Sequence, residues 1–415
     1  MELTHGQQGA KAAPSARLAM AGLALTTLLP SLDTSITHAS LPALAAAFGV
    51  DFEAAQAITL AYLVAVTATI TVAGRLGDRL GRRRVLLAGI ALFTLASLAC
   101  GAAPTLAGLV AARAAQGLGA AMMLAMTMAL ASDLTTGSGG AGRALGLLGT
   151  MSASGTALGP SLGGVLAASF GWRSMFLVNV PLGALALWLV WRHGPEGGAR
   201  AASTRLRWAT LRGTGLLPGL AMTTMVATVI MSTLVVGPFH LSRALGLDVA
   251  HVGFAMSVGP LVAALAGVPA GRLADRFGTR RMTVAGLVAM AIGCLGVAVM
   301  PLRLGVAGYL VPVAVVTAGY AVFQTANNAG VMGRVGRGER GVVSGLLSLA
   351  RNLGLMVGVG GMGAVFGGAG VRGVFLVGVT VVGAAIAIAT VAGRSALNAP
   401  RDPVPCTGSK PVEGS

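Results

Sequence analysis

Twelve stretches of about 20 mostly apolar residues, separated by short polar segments, constrain this chain more than any other feature of its sequence. A helix of about 20 apolar residues crosses the ~30 Å hydrocarbon core of a bilayer. Of the 415 residues, 55% are hydrophobic and 10% are charged. Ordinary soluble domains contain about 25% charged residues. A water-soluble globule is therefore excluded, and the sequence predicts an all-α polytopic membrane protein.

The charges predict how these helices are oriented. The predicted spans are residues 18–37, 53–74, 85–103, 105–131, 143–168, 174–191, 215–238, 251–270, 282–300, 304–326, 341–366 and 372–393. Twelve spans place both termini on one side, where the flanking segments carry 23 Lys or Arg, against four on the other side. Since cytoplasmic flanks are rich in these cations, both termini are predicted to be cytoplasmic. Topology thus accounts for the net charge of +17, and no nucleic-acid partner is expected.

The residue usage indicates a bacterial cytoplasmic (inner) membrane, because Arg, Ala and Gly dominate as they do in proteins from GC-rich genomes. The three cysteines, Cys100, Cys294 and Cys406, are scattered, which predicts neither a disulfide framework nor a metal site. Residues 11–29 also fit a secretory signal. The first span continues through polar residues that matter below, so we favour an uncleaved helix.

An internal repeat divides the chain into two halves. The segment GRLGDRLGRRR begins at Gly74, after the second span, and GRLADRFGTRR begins at Gly271, after the eighth. The offset of 197 residues indicates a parallel duplication, with two bundles related by an axis along the membrane normal. The predicted parts are a tail (1–17), a six-helix bundle (18–191), a linker (192–214), a second six-helix bundle (215–393) and a tail (394–415).

The duplicated segment resembles the signature of the major facilitator superfamily, between the second and third helices of each half. The resemblance implies a transporter rather than an enzyme, with two pseudo-symmetric bundles that rock about a midplane site. It also implies a cytoplasmic loop gate, in which Asp78 latches the first bundle to the second in the outward-facing state. A solvated loop carboxylate is the alternative. The predicted gate residues are Gly74, Asp78, Arg79, Gly81, Arg82, Asp275 and Arg276.

Asp33 is the one carboxylate of twelve that lies within a predicted span. A carboxylate there costs about 2.5–3.5 kcal/mol on insertion scales, so it is expected to face a cavity or a partner. Removal from water disfavours the charged form, which makes Asp33 a candidate for reversible protonation. Gly22, Thr26, Pro30 and Thr37 share its helix face, and this polar stripe suits an aqueous cleft. Alternatively, Asp33 caps a helix broken near Pro30.

Arg113 lies in the fourth predicted span, at roughly the same depth as Asp33 if helices rise about 1.5 Å per residue. A guanidinium beside Asp33 favours the ionised carboxylate, and separation of the two favours protonation. The pair therefore predicts a proton switch, with a permanent structural ion pair as the alternative. Residues 109–121 resemble the fourth-helix motif of the superfamily, whose Arg is implicated in proton transfer.

The fifth predicted span contains the pattern Gly-x3-Gly-Pro-x2-Gly-Gly, formed by Gly155, Gly159, Pro160, Gly163 and Gly164. Glycines four residues apart let helices pack backbone to backbone, and proline kinks a helix. The pattern predicts a bendable, tightly packed element, although glycine pairs alone are common in membrane helices. The complete pattern resembles the superfamily motif associated with antiporters, and it is the main reason to predict export.

Two further segments resemble the drug:proton antiporters, which usually have fourteen helices: residues 32–42 and residues 172–183. The linker between the bundles has no room for an extra helix pair, so twelve spans are expected. His38 stands where that branch usually has Asn. It either adds a second titrating group or marks a wet helix end, and we favour the wet end.

Six polar or adaptable residues are candidates for a cargo cavity: Thr26, Gln116, Met123, Tyr320, Gln324 and Arg351. With Asp33 and Arg113, Arg351 gives the predicted cleft a net charge of +1 or +2. That charge favours neutral, zwitterionic or weakly anionic cargo over dications. Alternatively, Arg351 satisfies backbone carbonyls away from the cleft.

The sequence thus predicts proton-coupled efflux of a small amphipathic organic compound, such as an antibiotic or a secondary metabolite, by alternating access. The alternative is a proton-coupled importer or facilitator of a metabolite on the same fold. The expected partners are the cargo, protons and the lipid bilayer. The chain is expected to work as a monomer, with no cofactor other than the coupling proton.

Overall fold

A computed structural model describes residues 14–134, 141–194, 216–300, 304–335 and 340–397, and these residues are almost entirely helical. Ten helices among them are long and apolar enough to cross a membrane. One of the ten, Val343–Val391, merges two predicted spans and bends at Gly370, where φ is 63°. Ala141–Phe170 lies at the fifth predicted span. Each of the twelve predicted spans therefore coincides with a described helix.

We number these helices α1 to α12. They are α1 Pro14–Ala39, α2 Phe52–Leu80, α3 Arg82–Ala102, α4 Leu106–Leu134, α5 Ala141–Phe170, α6 Ser174–His193, α7 Leu216–Phe239 with the π-helical turn His240–Ala244, α8 Val249–Phe277, α9 Thr279–Val299, α10 Gly305–Met332, α11 Arg340–Val357 with the π-helical turn Gly358–Met362 and a continuation to residue 369, and α12, residues 371–397. A short helix, Leu41–Phe48, joins α1 to α2.

The predicted tails and linker are mostly outside this description. Residues 1–13, 195–214 and 398–415 lie beyond the described residues. Two helices extend into the predicted tails. Helix α1 begins four residues before the predicted boundary at 18, and α12 ends four residues after the predicted boundary at 393.

Helix packing repeats between the two halves of the chain. In the first half, α1 packs on α5 and α6, α2 packs on α4, and α3 packs on α4 and α6. In the second half, α7 packs on α11 and α12, α8 packs on α10, and α9 packs on α10 and α12. The chain therefore forms an N-terminal bundle (α1–α6) and a C-terminal bundle (α7–α12) with the same internal arrangement. The bundles meet where α5 packs on α8 and α2 packs on α11.

Equivalent carboxylates begin α2 and α8. The Asp51 side chain accepts a hydrogen bond from the backbone N–H of Ala54 at 2.8 Å, and Asp248 accepts one from the N–H of His251 at 2.8 Å. Such caps satisfy free N–H groups at a helix start. Hydrogen bonds from the backbone and side chain of His251 lower the pKa of the Asp248 carboxyl. The repeat thus preserves the same helix start in both bundles.

One glycine turns the chain after α2 and another turns it after α8. Gly81 has φ 93° and Gly278 has φ 86°, values that glycine adopts far more readily than other residues. The preceding residues, 74–80 and 271–277, are helical. The prediction of loops at these residues is therefore wrong. Their arginines mark them as polar, but long cationic side chains reach an interface from a continuous helix.

We expect Gly278→Ala to destabilise the protein by about 1–3 kcal/mol, because alanine is strained at this backbone conformation. Thermal unfolding of the purified protein in detergent should show a lower midpoint. Gly271→Ala is the matched control, since an added Cβ there meets nothing within 4 Å and the residue lies inside α8. It should unfold at the wild-type temperature or above it. A wild-type midpoint for Gly278→Ala would contradict the assigned turn.

The two bundles are joined at the face opposite the chain termini. There the Phe52 ring lies 4.6 Å from the ring of Phe239 and 4.8 Å from that of Phe366, between centroids. These aromatic contacts adjoin a buried hydrophobic cluster that contains residues from both bundles. Near the face that carries the chain termini (the terminal face), the described residues of the cluster around Val335 and Leu347 all belong to the C-terminal bundle. We therefore describe the structure as closed at the opposite face.

Candidate functional site

Asp33 is buried inside the N-terminal bundle, and three side chains donate hydrogen bonds to its carboxylate. Arg113 Nη1 lies 2.5 Å from Oδ2, while Oδ1 accepts from Gln116 Nε2 at 2.8 Å and from Asn179 Nδ2 at 2.7 Å. The side chains of Asp33 and Arg113 are each 1% exposed. All three partners act as donors, so the arrangement fits an ionised Asp33.

Arg113 is the centre of a network that extends over five of the six helices in this bundle. Its Nη1 atom lies 2.6 Å from Gln116 Oε1, and its Nε atom lies 3.4 Å from the carbonyl oxygen of Ile58. The guanidinium stacks over the Tyr62 ring at 4.4 Å, and Gln116 also donates to Ser97 Oγ at 2.8 Å. A buried charge is tolerated when it is paired and hydrogen-bonded in this way.

The polar stripe of α1 is packed inside the bundle, so the predicted aqueous cleft along it is wrong. Gly22 lies against α6, and Thr26 Oγ1 is 2.7 Å from Thr127 Oγ1. The side chains of Thr26, Gln116 and Met123 are fully buried, and none lines the cavity described below. Small and hydroxyl-bearing residues occur both where helices pack closely and where a helix faces water. Composition therefore does not distinguish a packed helix face from a wet one.

Asn179 belongs to the network although no sequence argument gave it a role. The sequence feature that could have identified it is an amide side chain near the start of α6, in an otherwise apolar stretch. His38 is only 5% exposed, and among the described residues its Nε2 atom has no hydrogen-bond partner. The favoured wet helix end is therefore wrong, because α7 and the short helix after α1 pack near this end.

A cavity of about 180 Å³ lies in the C-terminal bundle, between α7, α8, α10 and α11, with Thr156 of α5 at its edge. Two of the predicted cavity residues, Tyr320 and Arg351, line it, whereas the half-buried Gln324 does not. The described lining residues are mainly apolar, and none of them is a carboxylate. Arg351 is exposed.

This cavity occupies the place of the polar network in the repeated architecture. The 197-residue offset relates Asp33 to Ile230 and Arg113 to Leu310. Both apolar residues line the cavity. The two bundles thus share a fold but differ at the equivalent site: one holds a buried ion pair and the other a largely apolar cavity.

The glycine pattern of α5 lies at helix contacts. An added Cβ at Gly155 would lie 2.7 Å from a carbonyl oxygen of α1, and one at Gly159 would lie 2.5 Å from a Cβ atom of α1. Gly163 also faces α1. Gly164 faces the other bundle, where a Cβ would lie 2.8 Å from a carbonyl oxygen of α8, and the carbonyl oxygen of Pro160 contacts α8 as well. This segment therefore forms part of the closed face.

The predicted gate residues lie at the terminal-face ends of α2 and α8 and at the start of α3. Asp78 Oδ1 is 3.7 Å from Arg82 Nη2, one turn away, and the Asp78 side chain is 40% exposed. Arg276 stacks over Phe277 at 5.3 Å. A latch between the bundles belongs to the state closed at this face, which differs from the present one, so the latch stays a prediction.

The family model of the Major Facilitator Superfamily matches residues 23–359, and a second, overlapping match covers residues 216–411. The chain belongs to the Major Facilitator Superfamily. This MFS protein is therefore a membrane-embedded transporter of small molecules and not an enzyme, as the sequence predicted. The second match begins at the first residue of α7.

The transporter resembles members of the drug-efflux branch. It is 40% identical to the multidrug resistance protein Stp of Mycobacterium tuberculosis (strain CDC 1551 / Oshkosh) over 158 residues, a match that spans 38% of this chain and only 29% of that relative. It is 27% identical to the multidrug efflux pump LfrA of Mycolicibacterium smegmatis over 405 residues, covering 84% of this chain and 80% of that pump.

A solved structure supports the fold assignment. The crystal structure of a bacterial homologue of the human lysosomal transporter Spinster, in an inward-facing and occupied conformation, matches with a TM-score of 0.81 and 17% identity. The match covers 95% of this chain and 100% of that one. At this identity the similarity establishes the shared fold only.

Proposed function

We propose that this MFS transporter exports small amphipathic organic compounds across a bacterial cytoplasmic membrane in exchange for protons. Asp33 is the proton site and Arg113 is its charge partner. The cavity at Tyr320 and Arg351 receives the cargo. Both termini lie in the cytoplasm, as the distribution of Lys and Arg favours, and the protein works as a monomer without a cofactor.

One observation carries the proposal: the arrangement that fits an ionised Asp33 occurs together with closure of the face opposite the termini. With the termini in the cytoplasm, this is an inward-facing state whose proton has been released. A proton-driven exporter must take up its cargo in that state. We propose that cargo reaches the exposed Arg351 and its cavity from the same side.

A proton-coupled importer also passes through an inward-facing, proton-released state, after it has delivered its cargo. Two further observations favour export. The glycine pattern of α5 resembles that of antiporters, and the two relatives are named as multidrug resistance and efflux proteins. The functions differ in coupling: an exporter binds cargo when Asp33 is ionised, and an importer binds it when Asp33 is protonated.

Everted membrane vesicles separate these functions. After a resistance screen has identified an exported compound, its addition to energised vesicles should collapse the interior-acid pH gradient, measured by recovery of a quenched fluorescent amine. Purified exporter should also release protons when it binds the compound, as measured with a pH-indicator dye. Vesicles that lack the protein are the control. Proton uptake on binding would establish the importer instead.

A further inference from the structure

The polar side chains that line the cargo cavity differ in whether they already have hydrogen-bond partners. The hydroxyls of Thr156, Thr233 and Thr317 donate to carbonyl oxygens of their own helices, at 3.0, 2.7 and 2.9 Å. Arg351 differs, because among the described residues it has neither an ion pair nor a side-chain hydrogen bond. A guanidinium carries five N–H donors. The cavity therefore offers a free cation beside apolar walls, and no carboxylate is present among the lining residues that the structure describes.

A second cavity, which lies nearer the opposite face, also has an arginine in its lining. It has a volume of about 550 Å³ and is lined by His240, Tyr309 and Arg372, among others. Tyr309 lines both cavities. Arg372 is exposed, and none of the described residues that line this cavity is a carboxylate. In the part of the chain that the structure describes, each of two adjoining cavities in one bundle thus contains an arginine but no carboxylate.

We infer that the natural cargo is an amphipathic monoanion, in which one carboxylate or sulfonate is attached to a compact apolar body. This inference rests on the proposed export function and specifies its substrate class. The acidic group binds the Arg351 guanidinium, which favours planar carboxylates through paired hydrogen bonds. The apolar body contacts walls that include Ile230, Met256 and Pro260. Arg372 offers the next cationic position towards the opposite face.

The charge of the cargo determines how strongly the membrane potential drives its export. Exchange of one entering proton for one leaving neutral molecule moves a single positive charge inwards. With a monoanion as cargo, the same exchange moves the equivalent of two positive charges inwards. Each additional charge multiplies the attainable accumulation by about 50-fold at 100 mV. The membrane potential therefore acts more strongly on an anionic cargo than on its uncharged analogue.

Binding of three rigid probes tests the inference: 2-naphthoate, its methyl ester, and 2-naphthylmethylammonium. Wild-type protein should bind the acid most tightly and the ammonium compound least tightly. Arg351→Gln should weaken binding of 2-naphthoate by about tenfold or more, as expected for loss of a charge-assisted hydrogen bond. Binding of the ester should stay unchanged. Arg351→Lys should restore part of the loss, and Arg192→Gln, which removes an exposed arginine of α6, is the matched control.

The contrary outcomes are distinct. Equal weakening of acid and ester in Arg351→Gln would mean that Arg351 acts through packing, and tighter binding of the ammonium probe by wild type would refute an anionic cargo. In proteoliposomes, a potassium-valinomycin potential should increase accumulation of 2-naphthoate more than that of the ester. If a cationic dye drives proton exchange and 2-naphthoate neither binds nor moves, the substrate class is wrong although export stands. If no compound drives proton exchange, the proposed function itself fails.

Discussion

Asp33→Asn is expected to reduce proton-driven accumulation of cargo to background while exchange of cargo across the membrane continues. Asparagine keeps the shape of the side chain and one oxygen that accepts from Arg113, but it does not titrate. Accumulation needs a group that gains and loses a proton in each cycle, whereas exchange of labelled for unlabelled cargo needs only the conformational change. Both are measured in proteoliposomes, the first with an imposed pH gradient and the second without one.

Two further variants keep this prediction testable. Breaking a buried ion pair costs about 3–5 kcal/mol when one charge remains unpaired. If Asp33→Asn fails to fold, Asp33→Glu should fold and retain part of the accumulation, because it still titrates. Asp248→Asn is the matched control, since Asn caps a helix about as well as Asp and this residue lies outside the network. Undiminished accumulation by Asp33→Asn would remove Asp33 from the mechanism.

Gly253→Val is expected to open the closed face. The backbones of α5 and α8 touch there, because an added Cβ at Gly164 would lie 3.0 Å from the Gly253 Cα atom and one at Gly253 would lie 2.9 Å from the Gly164 Cα atom. A valine side chain does not fit between two backbones and forces the helices apart. The state that is closed at this face should therefore lose population to states in which the face is open.

Thiol labelling measures the opening. Ala39 lies near the closed face and is 3% exposed. In a background with the native cysteines replaced by alanine, Ala39→Cys should react slowly with a membrane-impermeant maleimide. Addition of Gly253→Val should accelerate the reaction by tenfold or more. Gly267→Val, in the same helix where an added Cβ meets nothing within 4 Å, should leave the rate unchanged. Similar rates in both variants would argue against the tight α5–α8 contact.

Most of the fold could be predicted because the bilayer restricts what the chain can do. Helices of about 20 apolar residues are visible in composition, and the repeated motif at Gly74 and Gly271 divides them into halves. Helix ends were harder to predict. Residues 74–80 and 271–277 have the polar composition of a loop but are helical in the structure. Composition therefore does not show where these helices end, and the chain turns only at the glycine that follows.

The pairing of Asp33 with Arg113 could also be predicted, because a charge within a membrane needs a partner and their depths agree. The sequence did not reveal that Gln116 binds this pair instead of cargo, or that Asn179 joins it. Both depend on the rotation of α4 and α6 about their axes. The burial of His38 depends on which face of the protein is closed, and a single sequence is compatible with either state.

Among the described residues, the C-terminal bundle has no counterpart of the buried ion pair, and this difference affects how such a protein can change over generations. With the proposed roles, substitutions around the apolar cavity change which cargo is carried and leave the proposed proton site, Asp33 and Arg113, unaltered. On this proposal, a lineage acquires resistance to a new toxin through substitutions in the C-terminal half of the gene, while the N-terminal half keeps the proposed proton site.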